Sequence, residues 1–232
     1  MLGTCFAAGF IAQPLVDHSN PDQTASAFYE IPYLQDVVCT GRSARLFPNT
    51  RAGTLSGTAS YRFRNSSGRE QTVAFAINPG YAISQVQANG TDLPFSISDY
   101  QEYNEAMLEV AIPAQEQVEL TIAYGGFPQE SRNLSTMQGS TEISTEYLCL
   151  ENATLSPRLM NVLPGENGYP TVMEITLPAS MTVIPLGPGR AEAVAQQEDG
   201  TITWRYTANS TGGILYAGDY IREEIQAGGM TI

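Results

Sequence analysis

The stretch Thr54-Leu55-Ser56-Gly57-Thr58-Ala59-Ser60-Tyr61-Arg62-Phe63-Arg64 alternates without a break. Leu55, Gly57, Ala59, Tyr61 and Phe63 fall on one face, and Ser56, Thr58, Ser60, Arg62 and Arg64 on the other. In an extended chain successive side chains point to opposite sides, so a period of two with one apolar face is the mark of a half-buried strand in an antiparallel sheet.

The same alternation recurs outward along the chain. Val73, Phe75 and Ile77 share a face, as do Leu108, Val110 and Ile112, then Val118, Leu120, Ile122 and Tyr124, and later Ile202, Trp204 and Tyr206. Asn89-Gly90 and Asp199-Gly200 each stand between two such runs, where Asn and Gly can take the positive φ angles that tight hairpins demand. No long stretch shows the 3.6-residue apolar period of a helix. The expected fold is all-β, mainly antiparallel, a sandwich or a pair of packed sheets.

Residues 1–27 read as an apolar start followed by a polar tether, with His18, Ser19, Asn20, Pro21 and Asp22 unsuited to regular structure. The apolar start is too short to span a bilayer and lacks the basic flank of a signal peptide. It is either the outer end of a membrane helix or a terminal segment. Residues 28–225 are expected to form a single large β domain. A long Gly-, Ser-, Gln- and Asn-rich loop is expected near 125–143, and 226–232 form a tail.

The 232 residues are 42% hydrophobic and carry 11 Arg, no Lys and 24 Asp plus Glu, for a net charge of −13. That field excludes nucleic acid as a partner, because phosphate binding draws on clustered Lys and Arg. Without lysine there is no P-loop and no Schiff-base chemistry. Cys5, Cys39 and Cys149 are too scattered for a thiolate metal site. A Cys39–Cys149 disulfide is open if the protein is exported, and buried free thiols are the simpler reading.

Residues able to do chemistry are sparse. His18 is the single histidine and lies in the tether, so neither a Ser-His-Asp arrangement nor a catalytic zinc site can be assembled around it. Glu102 with Glu105, Glu142 with Glu146, and Glu223 with Glu224 are paired carboxylates of the kind a glycosidase uses, but solvated surface is the ordinary reading in an acidic chain. Asp92, Asp99 and Glu102 lack the spacing of a calcium loop. Tyr100, Tyr103 and Phe95 could stack on a sugar or a peptide, although packing more often explains strand aromatics. Sequons occur at Asn65, Asn89, Asn133, Asn152 and Asn209. The expectation is no catalytic residue, no metal, no cofactor and no assigned binding residue.

A resemblance runs through the order of these features. Tyr61-Arg62-Phe63-Arg64-Asn65-Ser66-Ser67-Gly68 leads into the buried run Val73 to Ile77, and Ile83-Ser84-Gln85-Val86-Gln87-Ala88-Asn89-Gly90 follows. Val118 to Gly126 comes next, then Tyr147-Leu148-Cys149-Leu150 with Ser156-Pro157, then Met173 to Pro178 with Gly187. The run closes on Ala217-Gly218-Asp219-Tyr220. In order and spacing it resembles the N-terminal β domain of aminopeptidase-N-type zinc peptidases, especially those fused to ABC transporter permeases. Ser156 departs from the pattern, since an aromatic usually precedes that proline.

The resemblance implies a saddle-like β domain whose partner is the peptidase-like domain that follows it, with membrane permease segments as a further partner. It places the domain on the extracytoplasmic face of a membrane. The family's H-E-x-x-H helix and G-x-M-x-N strand belong to that following domain and do not occur in this chain, so no catalytic residue carries over. Some members also lend an acidic or amide side chain to the substrate's amino terminus, and no matching motif is found between Glu146 and Arg158. The alternative function is a stand-alone carbohydrate- or protein-binding β-sandwich. A third is a hydrolase with an unfamiliar carboxylate pair.

Overall fold

Thr54 to Asn65 does form a long strand, and its alternation is obeyed residue by residue: Leu55, Ala59, Tyr61 and Phe63 are all at most 2% exposed. In this computed structural model the described residues are 31–100, 105–129, 141–164, 168–186, 189–209, 214–220, 226–227 and 230–231. The strands lie in the unit Tyr33–Ile232.

In chain order they are β1 (Leu34–Asn49), β2 (Thr54–Asn65), β3 (Gln71–Ile77), β4 (Tyr81–Ala88), β5 (Thr91–Asp92) and β6 (Phe95–Tyr100). Then come β7 (Glu105–Ile112), β8 (Gln117–Gly126), β9 (Glu142–Ile143), β10 (Tyr147–Glu151), β11 (Arg158–Leu159) and β12 (Val162–Pro164). The last are β13 (Pro170–Pro178), β14 (Thr182–Leu186), β15 (Gly189–Gln196), β16 (Thr201–Asn209), β17 (Ile214–Gly218), β18 (Gln226–Ala227) and β19 (Met230–Thr231).

A nine-stranded sheet runs β15-β16-β13-β1-β2-β8-β4-β5, with β12 also on β1. Two four-stranded sheets, β14-β17-β10-β9 and β11-β3-β7-β6, accompany it. Their inner faces meet in one continuous core that takes Leu46, Tyr61 and Leu120 from the large sheet, Phe75 and Leu108 from one small sheet, and Leu148 and Leu215 from the other. Each such side chain removed from water contributes about 1.5–3 kcal/mol. The all-β, mainly antiparallel expectation holds; the parallel pairs are β1 with β12 and β1 with β13.

Bulges step the register in β1, in β4 and, between Ala193 and Ala195, in β15, and in the first two they shift the period of two. In β1 the register steps from Cys39↔Phe63 to Gly41↔Arg62, so one residue goes unpaired. Val37 and Cys39 face the core before the step, and Arg42, Ala44 and Leu46 after it. In β4 the step lies between Ile83 and Gln85, which is why Ile83 and Val86 sit three apart yet face the same way. An extra residue flips the faces beyond it.

Both expected hairpins form. Asn89 and Gly90 have φ of 50° and 81° between β4 and β5, and Gly200 has φ of 80° between β15 and β16. Elsewhere the boundaries move. Gly125 and Gly126 finish β8 and Glu142–Ile143 make β9, so the loop expected near 125–143 is shorter at both ends, and 130–140 lie outside the described residues. Residues expected as a tail include a short antiparallel ladder, β18 with β19. The tether of 1–27 also lies outside the described residues.

Candidate docking face and the segment that carries it

The chain between β10 and β11 crosses the inner face of the large sheet as a single helical turn, α1 (Asn152–Leu155), followed by Ser156 and Pro157. So short a helix leaves its carbonyls without partners inside it, and buried carbonyls need donors. Three tyrosines from three adjacent strands supply them. Tyr81 of β4 donates to the Thr154 carbonyl at 2.6 Å, Tyr124 of β8 to Leu155 at 2.8 Å, and Tyr61 of β2 to Pro157. Gly57, opposite Tyr124, leaves the space: a Cβ there would sit 2.9 Å from the Tyr124 hydroxyl.

Arg42, turned inward by the β1 bulge, donates to Ser156 Oγ and lies 5.9 Å from the centroid of the Tyr61 ring. Ser156 thus has a local role. Ser156 is 0% exposed, and an aromatic side chain in its place would strip the guanidinium of this acceptor. Asn78 completes the pinning, donating to the Gln129 carbonyl at 2.7 Å and to Thr154 Oγ1 at 3.2 Å. Burial pushes the hydroxyls of Tyr61, Tyr81 and Tyr124 above their ordinary range, so all three remain donors at neutral pH.

This anchoring fixes β10 at the centre of its small sheet. Leu148 and Leu150 point into the core at 0% exposure. On the opposite face, Cys149 pairs with Tyr216, which pairs with Ile184, and Tyr147 lies one step along. The Tyr147 and Tyr216 rings are 6.0 Å apart and tilted by 42°. Both rings are half-buried, as is Tyr220, while Ile184 is 40% exposed. Glu142, Glu146 and Asp219 stand exposed around them, and Glu151 is half-buried. An aromatic patch inside a polar rim is the composition of a protein interface. Burial, and then the Glu151 carboxylate, push the Cys149 thiol up.

The residues singled out from sequence are scattered rather than assembled. His18, Glu102, Tyr103, Asn133, Glu223 and Glu224 lie outside the described residues, as do the side chains of Asp99, Tyr100, Glu105 and Asn152. Glu142 and Glu146 point to solvent on the β9–β10 hairpin. Asp92 accepts from Gln85 and Gln87 at 2.8 and 3.0 Å. Asn65 is 2% exposed and donates to the Arg69 and Pro113 carbonyls, whereas Asn89 and Asn209 are exposed. Cys39 and Cys149 are free and buried in different sheets. Sequence reasoning missed the Tyr61, Tyr81 and Tyr124 donors altogether, because a period of two shows that a tyrosine faces inward and not what its hydroxyl meets.

No family model matches the chain, and no curated protein matches it. Solved structures do. An M1 zinc metallopeptidase from Deinococcus radiodurans superposes with a TM-score of 0.57 at 15% identity over 87% of this chain and 47% of that one. A mutant of that peptidase bound to a Tyr-ser-ala substrate gives 0.54 at 17% identity, over 85% of this chain and 46% of that one. Native yeast LTA4 hydrolase gives 0.52 at 11% identity, over 79% and 29%. The fold is shared with M1 zinc metallopeptidases. At these identities it is the fold alone that is shared, and the chain spans less than half the length of the structures it matches.

This likeness supports the resemblance to an N-terminal β domain. Those neighbours are zinc enzymes, and the described residues of this chain do not fit the metal. No three His, Cys, Asp or Glu side chains converge among them. Burial pushes the Cys39 thiol up to about 11, which keeps it protonated rather than in the thiolate form that binds zinc.

Proposed function

We propose that the chain is a non-catalytic β domain that docks a following peptidase-like domain through the outer face of the sheet β14-β17-β10-β9. The observation that carries this reading is the half-buried aromatic pair Tyr147 and Tyr216 beside exposed Ile184, on a sheet whose other face is already full. Apolar sheet faces of this kind are unfavourable in water and are ordinarily covered. The rim of Glu142, Glu146 and Asp219 favours a partner surface with basic groups around an apolar centre. The fold likeness, which covers less than half of each metallopeptidase, supports a partner in the same polypeptide. Association with membrane permease segments, and a position on the extracytoplasmic face, belong to the same proposal and rest on the sequence resemblance.

The test compares amide hydrogen exchange in the full product of the gene with that in this chain alone. Amides of Tyr147–Glu151 and Ile214–Gly218 are expected to be protected further in the full product. Equal exchange in the two, or a reading frame with no further domain, would overturn the proposal.

A further inference from the structure

The opposite side of the molecule offers a separate site, built on the bulge of β1. Thr40 is the residue that β2 cannot pair, and its hydroxyl donates to the Arg62 carbonyl at 3.1 Å. Next to it Gly41 leaves the backbone bare where the Arg62 guanidinium lies. A Cβ at Gly41 would come within 2.5 Å of Nη2 and 2.9 Å of Nε. Bulges re-aim side chains in this way beside binding sites. Arg62 and Arg64, both exposed and on the same face of β2, line a cleft of about 390 Å³ together with Thr40, Asn89, Gln117 and Glu119. That volume is within the range of small-molecule sites.

The charges in this cleft differ from those around Glu174 on the same sheet. Arg45 and Arg205 engage Glu174 at 3.5 and 2.8 Å. Arg62 and Arg64 have no ion-pair or side-chain hydrogen-bond partner among the described residues, although Glu119 stands directly across the strand from Arg62. Two free guanidiniums against one carboxylate make a positive spot on a chain of net charge −13. The planar guanidinium fork matches an oxyanion with two parallel hydrogen bonds.

What remains of the lining decides the body of the ligand. Phe63 and Val118 are each 2% exposed and turn their side chains to the core, so the side chains that project around the cleft are polar ones. Gln117 and Thr40 offer an amide and a hydroxyl, and Asn89 is held in place by donating to Gln115 at 2.6 Å and accepting from the Glu119 amide at 2.9 Å. Such walls suit a ligand rich in hydroxyls. We infer that the cleft binds an acidic sugar, its carboxylate or sulfate gripped by Arg62 and Arg64 and its hydroxyls set against Thr40 and Gln117.

The experiment is a chemical-shift titration of the isotope-labelled chain with a galacturonate trisaccharide, a sulfated galactose, maltotriose and sodium sulfate, all at matched ionic strength. An acidic sugar is expected to move the amides of Thr40, Gly41, Arg62, Arg64 and Gln117 with a dissociation constant of about 1 mM. Whichever acidic sugar binds tighter identifies carboxylate or sulfate as the preferred oxyanion. The double substitution Arg62→Ala with Arg64→Ala should weaken binding at least tenfold. Arg45→Ala, on the same sheet face but paired with Glu174, should leave it unchanged. Both cleft arginines are exposed, so the double variant is expected to keep the native amide spectrum. No shifts with either acidic sugar, equal shifts with maltotriose or with sulfate alone, or undiminished binding by the double variant would each overturn the assignment.

Discussion

The outer face of the nine-stranded sheet and the outer face of β14-β17-β10-β9 obey the same alternation and are finished in opposite ways. On the large sheet several outward residues satisfy one another. Ser60 meets Thr121 at 3.1 Å, Thr176 meets Thr203 at 3.0 Å, and Glu174 is shared by Arg45 and Arg205. On the small sheet the outward residues are Tyr147, Cys149, Tyr216 and Ile184, which have little to offer water. One face is mostly polar and partly paired within itself, and the other sets aromatic rings beside Ile184. What a strand does with its second face is therefore a better guide to function here than the fold itself.

The comparison breaks most visibly on the side the two sheets have in common. Leu148→Ala, on the inner face of β10 at 0% exposure, should cost about 2–5 kcal/mol. Chemical denaturation would register it as a lower midpoint at unchanged slope. A loss under about 1 kcal/mol would mean that the small sheet is not part of the common core.

Removing a donor that ties the large sheet to the α1 turn should cost less. Tyr124→Phe leaves the Leu155 carbonyl buried without its partner, at about 1–3 kcal/mol. The same tyrosines set an alkaline limit. Their folded pKa values are raised above the ordinary 10.0, so the folded form holds these protons more tightly than the unfolded one. Their contribution is complete below about pH 10 and is lost as pH rises above it. Thermal midpoints should be level up to about pH 9 and fall beyond pH 10, less steeply in Tyr124→Phe. A midpoint indifferent to that alkaline range would contradict the burial of these hydroxyls.

On the small sheet's outer face, stability and docking should separate. Tyr216→Ser is expected to change the stability of the chain by under about 1 kcal/mol, and to weaken attachment of the partner domain by about 2 kcal/mol or more, as central aromatic anchors do. Partial proteolysis of the full product should then release the domain faster than from the unsubstituted protein. Ser60→Ala, on the large sheet's finished face, should be the mildest, within about 0.5 kcal/mol and with no effect on attachment.

How much of this was legible depended on where the period of two survives. β2 keeps it for its whole length, and its reading fixed both the sheet and its inner face. β1 loses it at Thr40, so a pattern sought across Leu34 to Asn49 cancels itself and Arg42 looks like a surface residue. Tyr147-Leu148-Cys149-Leu150 entered only as part of a resemblance, and a run that is apolar on both sides does not say which side the same chain will cover. The three tyrosine donors were out of reach because their acceptors lie 31 to 96 positions away. The cleft of Arg62 and Arg64 was hidden for a related reason, since Gln117 reaches it through the ladder of β2 and β8 and Asn89 through the turn that follows β4.

The parallel pairing of β1 with β13 also bears on the order in which the chain folds. From β1 to β8 the large sheet is a local affair, its strands drawn from residues 34–126, and β13, β15 and β16 form a second antiparallel group within 170–209. The seam between the groups joins Arg42 to Thr171, about 130 residues later. Closing so long a loop is entropically costly and slow relative to hairpin formation. On a ribosome the first group is free to assemble well before its neighbour exists, and the seam is the last ladder to close. Pulse-labelled exchange during refolding should protect the β2–β8 amides before those of β13, and simultaneous protection would argue against that order.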